Sequence, residues 1–247
     1  MRGFGRLLLV NLRLYVREPI ATFFTLAFPP LLVLLFGAMY GNDPTPMFGG
    51  YGTMDISMPA YTALILGTVG LLSVPITISG YRDTGVLRRF QATPMQPRTY
   101  ILADIVANLV ITLLGMVGLV LIGWLLYRVR FEGQVAAVVL AVVFCGLAMF
   151  SIGYVIASLA PAARTAQVVG MVIFYPMVFL SGASMPLEIM PATIQRIADF
   201  LPLTYVVNLL RGLWFGGSWG DYLLETAVLA GDLVVCTALA ARFFRWE

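Results

Sequence analysis

Residues 81–100 read YRDTGVLRRFQATPMQPRTY, a polar stretch carrying Arg82, Arg88, Arg89 and Arg98 between two apolar runs, each long enough to cross a bilayer. A short connection between spans needs no particular sequence, yet this one has an order of its own. Asp83, Gly85, Leu87, Arg88, Arg89 and Phe90 are followed by a Thr93-Pro94 stop. Residues 83–90 predict one short turn and helix with Asp83 near its start, where the helix dipole favours an acid. Leu87 and Phe90, three apart, would then form a small apolar face for a partner. A solvated loop whose arginines only set topology would need none of Gly85, Leu87 and Phe90. The stretch is read as a docking element.

The chain around it has 247 residues, 60% hydrophobic and 11% charged, and a mean hydropathy of +0.93. A soluble domain would carry about a quarter charged residues. The composition is that of an integral membrane protein with one membrane domain and little soluble mass. Histidine is absent and all 15 basic residues are arginine. Histidine catalysis, histidine–metal chemistry, a Schiff-base lysine and the phosphate-binding lysine of a Walker A loop are therefore excluded. Cys145 and Cys236 lie within apolar runs and read as packing residues, not as a disulfide or metal pair.

Residues 2–17 come first. Arg2, Arg6, Arg13 and Arg17 fall within an arc of roughly 60° at about 100° per residue, with Phe4, Leu7, Leu8, Leu14 and Tyr15 opposite. This predicts a basic amphipathic helix on the membrane surface. A signal peptide is disfavoured, because no small-x-small cleavage site follows. Six spans of about 20 residues are expected at 20–40, 58–80, 101–127, 135–160, 165–185 and 222–241. Pro29-Pro30, Pro75 and Pro176 lie inside them, and each should kink its helix. With the N-terminus inside, 11 arginines face the cytoplasm and 4 (Arg128, Arg130, Arg196 and Arg211) face outward. That bias puts both termini in the cytoplasm of a multi-pass cell (inner) membrane protein.

Residues 185–221 are too long for a turn and too apolar for a floppy loop. Pro186, Pro191 and Pro202 divide them, so 187–200 and 203–215 predict two short helices dipping back against the bundle. No inverted repeat is visible, which weighs against a secondary transporter.

In their order, these elements resemble the permease subunits of ABC-2 type ATP-binding-cassette exporters. In that family the loop after the second span typically reads Glu-Arg-Glu-x-Gly-Thr-Leu-Lys-x-Leu, then Thr-Pro and an aromatic. Arg82, Asp83, Gly85, Leu87, Arg88, Phe90, Thr93, Pro94 and Tyr100 fit it, and Tyr81 stands where the family has an acid. The second match is Phe179-Leu180-Ser181-Gly182, Pro186-Leu187-Glu188, Pro202-Leu203-Thr204-Tyr205 and Leu210-Arg211-Gly212. It is similar to the family's end of span five and its extracellular re-entrant hairpin.

The resemblance implies an all-α membrane fold of six spans in a single permease domain. It adds an N-terminal surface helix at 2–17, a cytoplasmic coupling helix at about 82–91, and a re-entrant hairpin at about 186–215 between spans five and six. The assembly would hold two membrane subunits, either two copies of this chain or one with a paralogue, and two ATPase subunits. Arg82, Asp83, Gly85, Leu87, Arg88, Arg89 and Phe90 would form the ATPase-coupling element, with Arg6, Arg13 and Arg17 on the surface helix beside it. Glu188, Pro202, Tyr205 and Arg211 belong to the hairpin, which fits both an exit gate and a structural plug. This chain would bind no cofactor and no metal, and perform no catalysis; ATP and Mg would sit on the partner. Membrane lipid and a small amphiphile are the other expected partners, and nucleic acid is not one.

Several residues point past the resemblance. Glu225 and Asp232 are seven apart on one face of the last span, and an acid there is a functional candidate by default. Asp232 fits a polar contact to substrate as well as an internal hydrogen bond to Ser, Thr or Tyr. Asp104 reads as a helix-start acid near Arg98. Phe144, Met149, Phe150, Tyr154, Met171, Phe174 and Tyr175 read as packing residues, and Gly146, Gly153 and Gly170 as sites of close helix approach. The expected activity is ATP-driven export of a hydrophobic or amphiphilic compound (drug, antibiotic or lipid-like). Lipid-linked polysaccharide export, a proton-coupled secondary transporter using Asp232, and a non-transporting scaffold are the alternatives.

Overall fold

Backbone groups in a bilayer must find partners inside their own segment, and the apolar stretches do so as helices. The computed structural model describes residues 4–17, 19–86, 97–185 and 187–243, and the regular structure among them is helical. Helix α1 is Phe4–Arg17. The six helices long and apolar enough to span, among the described residues, are α2 (Phe23–Tyr40), α3 (Thr53–Asp83), α4 (Pro97–Tyr127), α5 (Val135–Leu159), α6 (Ala163–Leu180) and α9 (Leu223–Phe243). Between α6 and α9 lie a 3₁₀ turn at Leu187–Ile189 and two short helices, α7 (Ala192–Ala198) and α8 (Pro202–Trp214).

Helix α3 is the axis of the molecule. It is 72% buried over its apolar window, against 11% for α9, and packs on α2, α4, α5, α6 and α8. It starts at Thr53, a turn before the expected 58, because a side chain from outside the helix caps it. Asn42 Oδ1 accepts the Met54 and Asp55 backbone N–H groups at 3.0 and 3.1 Å. Helix α6 stops at Leu180, earlier than the expected 185. The chain bends through Ser181–Met185, with Gly182 at φ +87°, a conformation that glycine adopts without a Cβ penalty.

The prolines widen the helices locally. Val69–Ser73 is a π-helical turn just ahead of Pro75, and Phe23–Ala27 is another just ahead of Pro29-Pro30; an interrupted hydrogen-bond ladder accommodates such bulges. At the bulge in α3, both α5 and α6 approach to backbone contact. A Cβ on Gly153 would lie 2.0 Å from the Gly70 carbonyl oxygen, and one on Gly170 would lie 2.3 Å from that of Leu71. The glycines singled out for close approach thus serve contacts within this chain.

Helix α1 packs on α4. Its buried residues are Leu7, Asn11 and Tyr15, spaced by four, whereas Arg13 and Arg17 are exposed. Leu14, on the expected apolar face, is also exposed, as are Leu9, Val10 and Val16. The apolar face is wider than the stripe that α4 covers.

Candidate functional sites at the two ends of the bundle

At one end, α3 terminates inside the stretch expected to dock. Arg82 and Asp83 are the last residues of α3, and a turn follows in which the Gly85 N–H bonds the Arg82 carbonyl at 3.0 Å with Gly85 at φ +69°. Leu87, Arg88, Arg89 and Phe90 lie outside the described residues.

Both Arg82 and Asp83 reach across to the connection between α5 and α6. Arg82 Nη1 donates to the Ala157 carbonyl at 3.1 Å and Nη2 donates to that of Ala160. Asp83 Oδ2 accepts the Ala163 backbone N–H at 2.7 Å. The acid expected to favour the start of its own helix instead caps the start of α6.

Beside them is a buried polar cluster. Asp104 is 4% exposed and accepts hydrogen bonds from Tyr154 Oη at 2.6 Å and Asn108 Nδ2 at 3.2 Å. It was expected at a helix start, but α4 begins at Pro97, so Asp104 lies well inside the helix. A narrow cleft between α1, α3 and α4 reaches it, lined by Asn11, Tyr15, Thr77, Tyr81, Asp104 and Asn108. Tyr15 pairs with Thr25 at 2.7 Å, which ties α1 to the π turn of α2. Tyr154, placed among packing residues by sequence, is therefore also a buried donor. A tyrosine fifty positions from an acid gives no local signal of the pairing.

The opposite end is closed by a knot that sequence did not reveal. Asp55, 1% exposed, accepts from Asn42 Nδ2, from the Gly52 N–H and from the Arg130 N–H, each at 2.9 Å. Asn42 Nδ2 also donates to the Tyr127 carbonyl at 3.1 Å. One carboxylate thus ties together the segments before α3 and after α4. Trp214 at the end of α8 joins it, donating from Nε1 to the Arg130 carbonyl at 3.0 Å and stacking edge-on to Phe131. Tyr51 donates to Glu132 Oε2 at 3.0 Å, and that hydrogen bond holds its phenol above the usual pKa.

The hairpin residues fall around this end. Pro202 opens α8, whose Leu203, Val206, Leu209, Leu210, Leu213 and Trp214 are buried against α3, α5 and α9. Tyr205 Oη donates to the Asp199 carbonyl at 2.6 Å and so staples α8 to the turn after α7. Arg211 lines a narrow cleft with Ser57, Tyr61, Gly182, Leu187 and Asn208. The Glu188 and Arg6 side chains lie outside the described residues. Glu225 is half-buried near the start of α9. Asp232 Oδ1 accepts from Cys236 Sγ at 3.6 Å, and its Oδ2 is buried with no partner among the described residues. Cysteine, not Ser, Thr or Tyr, supplies its internal contact.

Comparison with known proteins draws these features together. The model of the family described as "ABC-2 type transporter" matches residues 3–215. Nodulation protein J of Rhizobium leguminosarum bv. viciae is 37% identical over 90 residues, covering 36% of this chain and 35% of that protein. The daunorubicin resistance ABC transporter permease protein DrrB1 of Streptomyces coeruleorubidus is 25% identical over 228 residues, 88% of this chain and 77% of that protein. The probable multidrug ABC transporter permease YbhR of Escherichia coli K12 is 23% identical over 158 residues, 64% of this chain and 43% of that protein. The chain thus spans about a third of the nodulation protein and under half of YbhR. An all-helical bundle of six potential spans, matched by that family model through the end of α8, places this multi-pass membrane chain in the ABC-2 type transporter family as a permease.

Proposed function

We propose that this chain is the membrane subunit of an exporter that moves an amphiphilic or hydrophobic compound outward, on ATP hydrolysed with Mg by a separate ATPase subunit. The observation that carries the reading is the family match over residues 3–215 together with a chain that has no lysine for a Walker A loop. Energy must then enter through a contact. The coupling element at 82–91 makes that contact through residues 84–91, on the side where the arginine bias puts the cytoplasm, with Arg6, Arg13 and Arg17 of the surface helix alongside. The substrate class follows the printed names of two relatives, a daunorubicin resistance permease and a probable multidrug permease. Two membrane subunits enclose the path, and α7 and α8 form a re-entrant hairpin at its outer end, with Glu188 and Arg211 as candidate polar contacts of an exit gate. The permease contributes differential stability of two conformations and no bond chemistry.

The test is co-expression with candidate ATPase subunits in the cell membrane, then co-purification and ATPase assays over a panel of amphiphiles including daunorubicin. A stable complex whose ATPase rate rises with some amphiphiles is expected. Gly85→Pro and Arg88→Glu should insert normally but lose that stimulation. If these variants respond as the parent does, residues 82–91 are not the coupling element. A chain that never retains an ATPase overturns the exporter reading.

A further inference from the structure

We propose that Arg82 and Asp83 are positioning residues inside the permease, a two-point clamp that carries motion of the coupling segment to α5 and α6. The inference rests on the coupling reading above and assigns these two side chains a task other than touching the ATPase. The Arg82 guanidinium holds the Ala157 and Ala160 carbonyls, at the end of α5, where the last carbonyls of a helix lack partners of their own. The Asp83 carboxylate holds the Ala163 N–H at 2.7 Å, which is the first of α6 and equally lacks a partner within its helix. A cation at the C-terminus of one helix and an anion at the N-terminus of the next also match the two dipoles.

These groups come from adjacent residues at the end of α3, directly before the turn closed by Thr84 and Gly85. The Thr84 N–H and hydroxyl both bond the Gly80 carbonyl, at 3.0 and 2.8 Å, which closes the last turn of α3. Higher up, the α3 bulge lies against Gly153 of α5 and Gly170 of α6 with no room for a Cβ. Helix α3 is therefore joined to the α5–α6 pair at its middle and at its end. A displacement of residues 84–91 cannot move α3 without moving the α5–α6 turn, and the three helices shift as one body. Helix α6 then delivers that shift to the Ser181–Met185 bend and the cleft at Arg211.

The experiment uses the chain reconstituted with its ATPase in liposomes, with Cys145 and Cys236 replaced by Ala and an environment-sensitive maleimide on Ser184→Cys, at the far end of α6. The readout is the fluorescence change on adding ATP and Mg. Arg82→Ala and Asp83→Ala should each reduce that change by about fivefold or more, the scale of a typical coupling free energy, with ATPase co-purification unchanged. Asp83→Asn keeps an oxygen acceptor for the Ala163 N–H and should retain most of the response. A parent-like response in both alanine variants overturns the clamp. Loss of ATPase binding in either variant overturns it in favour of a direct contact, as does failure of Asp83→Asn alongside Asp83→Ala. A parent that shows no ATP response, or whose response survives Gly85→Pro and Arg88→Glu, brings down the coupling reading itself.

Discussion

Asp55 is a carboxylate 1% exposed that accepts three hydrogen bonds at 2.9 Å, from Asn42, Gly52 and Arg130. Leaving a buried donor without an acceptor costs about 1–3 kcal/mol; truncation here strands the buried Gly52 N–H and takes an acceptor from the part-buried Asn42 Nδ2 and Arg130 N–H. Asp55→Ala should therefore destabilise the detergent-solubilised chain by roughly 1–3 kcal/mol. Asp55→Asn, which keeps two lone-pair sites but adds donors, should cost less. Thermal unfolding followed by circular dichroism measures both, and a parent-like midpoint for Asp55→Ala would show that the knot carries no stability. Sequence flags an acid near a helix start as a possible cap. It cannot name Asn42 and Arg130 as the other parties, because those contacts depend on where α2 and α4 end.

At the scale of elements, the α3 bulge sets what α5 and α6 can tolerate. A Cβ on Gly153 meets backbone, the Gly70 oxygen at 2.0 Å, whereas one on Gly146 meets only side-chain ends of Leu109 and Leu66 at 3.1 and 3.3 Å. Backbone cannot rotate away; leucine tips can. Gly153→Ala should then cost at or above the upper end of the roughly 1–3 kcal/mol typical of overpacking, and Gly146→Ala well under half of that. Equal losses of midpoint in the two variants would mean that α3 slides to accommodate either change. The helix expected at 187–200 instead divides at Pro191 into a 3₁₀ turn at Leu187–Ile189 and the shorter α7, while α8 runs from Pro202 to Trp214. The spanning helices were legible from length and hydropathy. The early start of α3 was not, since a distant asparagine provides its cap. Nor was the burial of Asp104 with Tyr154, for which periodicity carries no signal.

At the scale of the whole molecule, an arginine count of 11 against 4 predicts the Arg82 end in the cytoplasm and the Asp55 end outside. In a Cys145→Ala, Cys236→Ala background, Asp43→Cys should react with a membrane-impermeant maleimide on intact cells. Thr84→Cys should react only after permeabilisation. The reverse pattern would invert the molecule and take residues 82–91 away from any cytoplasmic ATPase.

Composition and the spacing of apolar and charged residues were enough to establish a six-span helical membrane chain, its arginine asymmetry and its lack of a nucleotide-binding lysine. Those properties are written along one segment at a time, because each spanning helix satisfies its own backbone. Which helix is central, what Arg82 and Asp83 hold, and how Asp55 and Trp214 close the far end depend on groups that meet only when α3 is wedged between α5, α6 and α8. Residues 81–100 illustrate the division. Their sequence predicts an ordered element, of which residues 87–96 lie outside the described residues; only the packed bundle revealed that the first charged pair, Arg82 and Asp83, is turned inward, to cap two other helices whose ends need partners.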